Sequence, residues 1–287
     1  MSAHAAVVAE SLGTCATCRA PLHGPFCSEC GEKRLNRHDY SLKHFLEHAV
    51  DTVTHFDLRV LRDLWWQVRR PGWLAAEWLQ GRRVHHAPPM QLFLITNLLF
   101  YLVAGFTHFS PFQTKLQYHL GSGFGGFAQR LLDKRLAQAT LSLADFTTRF
   151  DTLVHVYSKS LVFLFIPMLA LPLWLLFRRQ RRYFVEWLTL STYMFGGILL
   201  LFGAAAVFSL TARLLPVTRP VFISNDLITG VMFALTTTYF ALFMGGAFPT
   251  QPLWKRVLKA TLMTAFFLVA LVIPYRFVLF MVTYWSI

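Results

Sequence analysis

Residues 186–210 read EWLTLSTYMFGGILLLFGAAAVFSL, a stretch in which Glu186, at its start, is the only charged side chain. A helix needs ~20 predominantly apolar residues to cross about 30 Å of hydrocarbon, and this stretch supplies them. Comparable runs occur at 90–109, 160–177, 227–248 and 260–285. The reading is therefore five transmembrane helices. Pro167 and Pro172 allow a kink or a re-entrant hairpin in the second, and Pro274 a kink in the fifth. Composition agrees: 55% of the 287 residues are hydrophobic and 14% charged, where a soluble domain carries about a quarter charged residues. The apolar excess falls after residue 88, which argues for spans and against an oversized soluble core.

Upstream of the first span the pattern is amphipathic. Ser41 is placed to cap a helix carrying Leu42, Phe45, Leu46, Ala49, Val50 and Val53 at three-to-four spacing. A second helix is expected from Asp57 to Arg69, broken by Pro71-Gly72, and a short third from Trp73 to Leu79, ended by Gly81. Aromatic and aliphatic residues beside arginines suit the headgroup layer of a bilayer, or a small cytosolic helical domain. Between the first two spans, 127–138 and 143–157 have helical apolar spacing and are expected as surface helices within 110–159.

The net charge is +13, from 27 Lys+Arg against 14 Asp+Glu. The basic residues gather at span ends: Arg69, Arg70, Arg82, Arg83; Arg178, Arg179, Arg181, Arg182; Lys255, Arg256, Lys259. That placement reads as topology and contact with anionic lipid, in preference to nucleic-acid binding. With the N-terminus inside, the Arg178–Arg182 and Lys255–Lys259 loops are cytoplasmic, and 110–159, 211–226 and the C-terminus lie outside.

All four cysteines fall in two CxxC knuckles, Cys15-Ala-Thr-Cys18 and Cys27-Ser-Glu-Cys30, and Gly31 follows the second. Each tight knuckle offers two thiolates, and four make a closed tetrahedral site for structural zinc. An iron–sulfur site and redox thiols are the weaker alternatives. The opening residues lack the basic n-region of a signal peptide, so reduced, metal-bound thiols in the cytoplasm are expected. The domain reading is a disordered leader at 1–14, a zinc ribbon at 15–31, a cytoplasmic linker with amphipathic helices at 32–87, and a transmembrane domain at 88–287.

Three other constellations were weighed. His44, His48, Asp51 and His55 share one helical stripe, and His44-Phe-Leu-Glu47-His48 has the inverzincin pattern. A solvated polar face explains them more simply than a second metal. Gly121-Ser-Gly123-Phe-Gly125-Gly126 spells GxGxxG, but a dinucleotide site requires a preceding strand and a following helix, and the segment reads as a loop. Arg276 lies inside the fifth span, where a charge needs a partner or an outlet. Asp226, at the end of the fourth span, is the candidate partner, and an anionic lipid or substrate the alternative. No nucleophile-and-base set is recognisable, so a non-enzymatic protein is favoured.

The order of motifs resembles a family. The CxxC…FCxxCG ribbon, His55-Phe-Asp57-Leu-Arg59, Leu61-Arg62-Asp63-Leu64, Arg70-Pro71-Gly72, Gly81-Arg82-Arg83 and Pro88-Pro89 are similar to bacterial membrane proteins grouped as domain of unknown function 3667. Tyr183-Phe184-Val185-Glu186 resembles that family's second signature, with Trp187 where it has histidine. The resemblance implies architecture and no reaction. The expectation is an all-α polytopic inner-membrane protein whose zinc ribbon docks a cytosolic partner or regulates a bundle contacting lipid or a small molecule. The rivals are a conduit near Arg276 and a membrane-embedded metal enzyme using the His44 stripe. Substrate, partner and oligomeric state are not legible.

Overall fold

The structure is a computed structural model describing residues 13–47, 58–107, 109, 111–138, 142–180, 182–214 and 225–287, apart from the side chains of 37, 212–214 and 225–228. The expected leader therefore lies almost wholly outside the described residues, and the expected first amphipathic helix is described only over 42–47. That helix starts as its sequence implies, because the Ser41 Oγ accepts the His44 N–H at 3.2 Å.

Helices α1 (Arg59–Arg69) and α2 (Trp73–Leu79) form a corner under the bundle. The first span is α3 (Pro89–Thr107), opened by Pro88, whose carbonyl accepts from Gln91 and Leu92, and by Pro89 in the first turn, where a missing N–H costs nothing. After the short α4 (Leu116–Leu120) and α5 (Gly125–Gln138) comes α6 (Leu143–Leu161), capped by Ser142. The third span is α8 (Phe184–Leu214) and the fourth α9 (Asn225–Ala247).

Two spans are longer than hydropathy alone implies. Helix α6 runs through a 3₁₀ turn, Val162–Leu164, into α7 (Phe165–Leu176), so the expected surface helix at 143–157 and the second span are one helical rod. No hairpin forms there. The 3₁₀ turn falls where Pro167 cannot donate to the Phe163 carbonyl, so the ladder tightens without breaking. The fifth span likewise continues from α10 (Leu253–Ala270) through a π turn, Leu271–Tyr275, into α11 (Arg276–Trp285). Pro274 sits in that turn, and the wider π geometry accommodates its ring. Five helices are thus long and apolar enough to cross a membrane.

Rings from every span meet in the bundle centre. Phe165 lies 5.0 Å from Phe195, 5.3 Å from Phe267 and 4.9 Å from Tyr275, while Phe93 and Phe240 pack on Phe195 and Phe267 respectively. Phe112, from the segment after the first span, is fully buried among them, and its carbonyl accepts the Tyr275 hydroxyl at 3.1 Å. Phe112, Thr114, Leu116 and His119 are all buried, with the His119 ring packed against Phe150 of α6 and Phe280 of α11.

The corner between α1 and α2 is seated on the fourth span by two glycines. Gly72 has φ +81, and its missing Cβ lets its backbone rest against the Phe243 carbonyl; Gly246 presents the same flat surface to Pro71. The inward face of α1 carries Val60, Asp63 and Gln67, all buried, and the Gln67 side chain donates to the Tyr193 carbonyl at 2.5 Å. Its outward side carries an apolar stripe, Leu58, Leu61, Trp65 and Val68, each more than half exposed, beside the exposed Arg59, Arg62 and Arg69. An apolar stripe beside arginines suits a helix lying in the headgroup layer.

Candidate metal centre and its seat on the bundle

The two knuckles are built alike. In the first, Arg19 N–H returns to the Cys15 carbonyl at 3.1 Å; in the second, Gly31 N–H returns to the Cys27 carbonyl at 3.0 Å. Both closing residues are left-handed, Gly31 at φ +75 and Arg19 at φ +63. The glycine was legible as a turn residue. The arginine was not, since non-glycine residues seldom take that conformation. A short antiparallel bridge closes each knuckle at its base, Thr14 with Pro21 in the first and Phe26 with Lys33 in the second.

The four Sγ atoms lie within 4.8 Å of one another, with Cys15–Cys30 and Cys18–Cys27 each at 3.5 Å. A tetrahedron with ~2.3 Å metal–sulfur bonds has edges of about 3.8 Å, so the donor set fits a four-thiolate metal. The sulfurs are too far apart for disulfides, and all four cysteines are free. Their acidities are strongly split. Burial pushes the Cys15 thiol up, but the backbone N–H groups of Cys18 and Thr17 outweigh it and bring it to about 7. The Glu32 N–H draws Cys30 down, yet burial and the three neighbouring sulfurs push it up to about 12. Four thiolates so close repel one another, and a divalent cation relieves that repulsion.

Glu32 follows directly on the second knuckle and is buried. Its Oε2 accepts three bonds: the Thr17 hydroxyl at 2.7 Å, the Arg83 N–H at 2.8 Å and the Val84 N–H at 2.9 Å. One carboxylate oxygen therefore ties both knuckles to the segment joining α2 to the first span. That segment is held on its other side by Asp63, whose Oδ2 accepts the Ala87 N–H at 2.7 Å and whose Oδ1 lies 3.2 Å from the His86 Nδ1. Arg62 adds a contact to Asp63, and its guanidinium also donates to the His85 carbonyl. Asp63→Ala would leave these donors without an acceptor in a buried place. Losing one partner of such a set costs about 3–5 kcal/mol, so a clear fall in the melting temperature of detergent-solubilised protein is expected.

The remaining sequence candidates are spread out. His44 stands 3.6 Å from Asp39, whose carboxylate is bound by Lys33 at 2.5 Å and by the Asn36 N–H at 2.8 Å. His48, Asp51 and His55 lie outside the described residues, as does the Asp226 side chain. Arg276 is partly buried, with its Nε unpartnered among the described residues. It stands 20 residues beyond Arg256 on one helical rod, about 30 Å away. The adjacent Tyr275 hydroxyl reaches the Ser158 carbonyl at 3.5 Å, beside Lys159. Arg276 therefore belongs to the end of the bundle far from the ribbon. The glycine-rich turn at 121–126 joins α4 to α5 with no strand before it, so the context of a dinucleotide site is missing.

Fold and site together define a helical, membrane-type protein with five candidate spans and a four-cysteine cluster at its N-terminal end that could hold a metal ion. Residues 57–101 match the family described as protein of unknown function, DUF3667. The match takes in α1, α2, Asp63, Gly72, Arg83 and α3 as far as Tyr101, and stops short of the cysteine ribbon. No curated protein and no solved structure matches the chain.

Proposed function

We propose that this protein is a non-enzymatic scaffold or sensor of the bacterial cytoplasmic membrane, in which a structural zinc ribbon on the cytoplasmic face controls the seating of the first span. The observation that carries this reading is Glu32. Its three bonds make the geometry of the second knuckle and the position of residues 83–84 one unit. Zinc is the metal that four thiolates in a closed tetrahedron suit best, and such a site leaves no open position for a reacting water. The cytoplasmic placement is supported by Arg178, Arg179, Arg182, Lys255 and Arg256 flanking the spans at the ribbon end. The aromatic cluster shared by all five spans favours a packed scaffold over a conduit. A cytosolic protein that reads the ribbon is the partner this arrangement calls for.

The test is amide hydrogen exchange on zinc-loaded protein, wild type against Glu32→Ala. Zinc should stay at one per chain in both, since the thiolates are untouched. Protection at Arg83 and Val84 should drop at least about tenfold in the variant, as one buried hydrogen bond to a charged group is worth ~1.5–3 kcal/mol. Unchanged protection would sink the coupling, and iron in place of zinc would sink the ribbon reading.

A further inference from the structure

A cavity of ≈ 210 Å³ opens between the ribbon side of the molecule and the starts of the first and third spans. Its walls include Arg83, Lys33, Tyr40, Trp78, Met90 and Thr189. Because Pro89 and Met90 begin one span and Val185 and Glu186 another, the cavity lies where hydrocarbon gives way to headgroups.

Charged groups of both signs surround it. Three carboxylates face the cavity, and each is already engaged. Glu32 takes the Thr17 hydroxyl and two backbone N–H groups. Asp39 is held by Lys33 and the Asn36 N–H, with His44 close by. Glu186 accepts the Tyr183 N–H at 2.8 Å and Arg182 at 2.9 Å. Arg83 is different. Its Nε donates to the Trp78 carbonyl at 3.2 Å and its guanidinium lies 4.9 Å over the Trp78 ring, which fixes the plane of the fork. Among the described residues no carboxylate lies within 4 Å of it. Burial draws its pKa below the ordinary arginine value, although Tyr40, Tyr193, Asp39 and Glu32 act on it in the opposite sense from a distance.

We propose that this cavity binds a phosphate-bearing ligand of headgroup size, gripped by the Arg83 guanidinium and enclosed by Trp78, Met90 and Thr189. A planar fork held by a ring and a carbonyl is suited to two parallel bonds to a phosphate. The apolar walls accept a glycerol backbone. The outward apolar stripe of α1 brings the same end of the molecule to a lipid surface. The proposal deepens the sensor reading and rests on it in one respect: the segment between ribbon and bundle, Glu32 to Phe45, supplies one wall.

The experiment uses full-length, zinc-loaded protein in dodecyl maltoside, titrated by native mass spectrometry and calorimetry. The probes are inorganic phosphate, glycerol 3-phosphate, dioctanoyl phosphatidylglycerol and, as the phosphate-free control, dioctanoylglycerol. At least one phosphate probe should bind with Kd below ~1 mM. Arg83→Gln should weaken it at least about tenfold, and Arg83→Lys less, because charge survives without the fork. Thr189→Phe fills the cavity from the third span, leaves Arg83 in place, and should abolish binding. Tighter binding of the lipid than of glycerol 3-phosphate assigns the site to a headgroup, and the reverse to a soluble phosphate. Binding of none of the phosphate probes, equal binding of dioctanoylglycerol, or undiminished binding in both Arg83→Gln and Thr189→Phe overturns the proposal. Zinc content and exchange at residues 83–84 are read on the same samples. Lost binding with the ribbon still seated therefore bears on the cavity alone, and an unseated ribbon in wild type on the sensor reading.

Discussion

Gly72→Ala is expected to lift the α1–α2 corner off the fourth span and to destabilise the protein more than any other single methyl addition near this corner. A Cβ at 72 would overlap the Phe243 carbonyl oxygen, with its carbon 2.8 Å away and the Ala247 nitrogen 2.9 Å away. These are backbone atoms of a helix and cannot rotate aside. The residue also sits at φ +81, where any side chain adds roughly 1–2 kcal/mol. Overpacking contributes about 1–3 kcal/mol more. Gly246→Ala strikes the same contact from the other side, 3.0 Å from the Trp73 nitrogen and 3.1 Å from the Gly72 carbonyl carbon. Gly203→Ala is the control, since nothing lies within 4 Å of its added Cβ. At this half-buried helical position, with open space around the new Cβ, it should be neutral or mildly stabilising. Thermal unfolding in detergent ranks the three. Equal melting temperatures for Gly72→Ala and Gly203→Ala would mean the corner is not seated as described.

Cys27→Ser with Cys30→Ser should have the larger local effect. Binding of structural zinc by small four-ligand sites is worth about 10–16 kcal/mol in apparent terms, and the ribbon has little else. Its buried apolar set is Cys15, Leu22 and Cys27, with Ala20 and Cys30 beside them, so without metal there is too small a core to keep residues 13–34 folded. The expected result is loss of the bound metal, proteolytic sensitivity confined to the N-terminal residues, and spans that still extract and migrate as in wild type. Elemental analysis and limited proteolysis read both. A protease-resistant N-terminus without metal would show that the ribbon stands on other contacts.

Much of this protein is legible in contiguous residues. The five spans follow from hydropathy because a helix in lipid satisfies its backbone internally, so composition over twenty positions decides it. The four sulfurs follow from two CxxC spacings for a similar reason, since each knuckle is a local turn. Where the reading fell short, the deciding contact lay far along the chain. The surface helix at 143–157 looked separate because its polar face masks its continuity with the second span. Nothing local announces that Phe112 fills the space among Phe165, Phe195 and Tyr275.

By itself, the sequence determined which segments are long and apolar enough to cross a membrane, which four sulfurs can share a metal, and which residue, Ser41, starts the first amphipathic helix. Only the tertiary structure decided how these parts bear on one another. Glu32 meets the Arg83 N–H across 51 positions, Gln67 meets Tyr193 across 126, and Tyr275 meets Phe112 across 163. Such contacts depend on which helix faces come together. Hydropathy and spacing record only what each segment is, and the seat of the ribbon and the cavity beside Arg83 arise where separate segments meet.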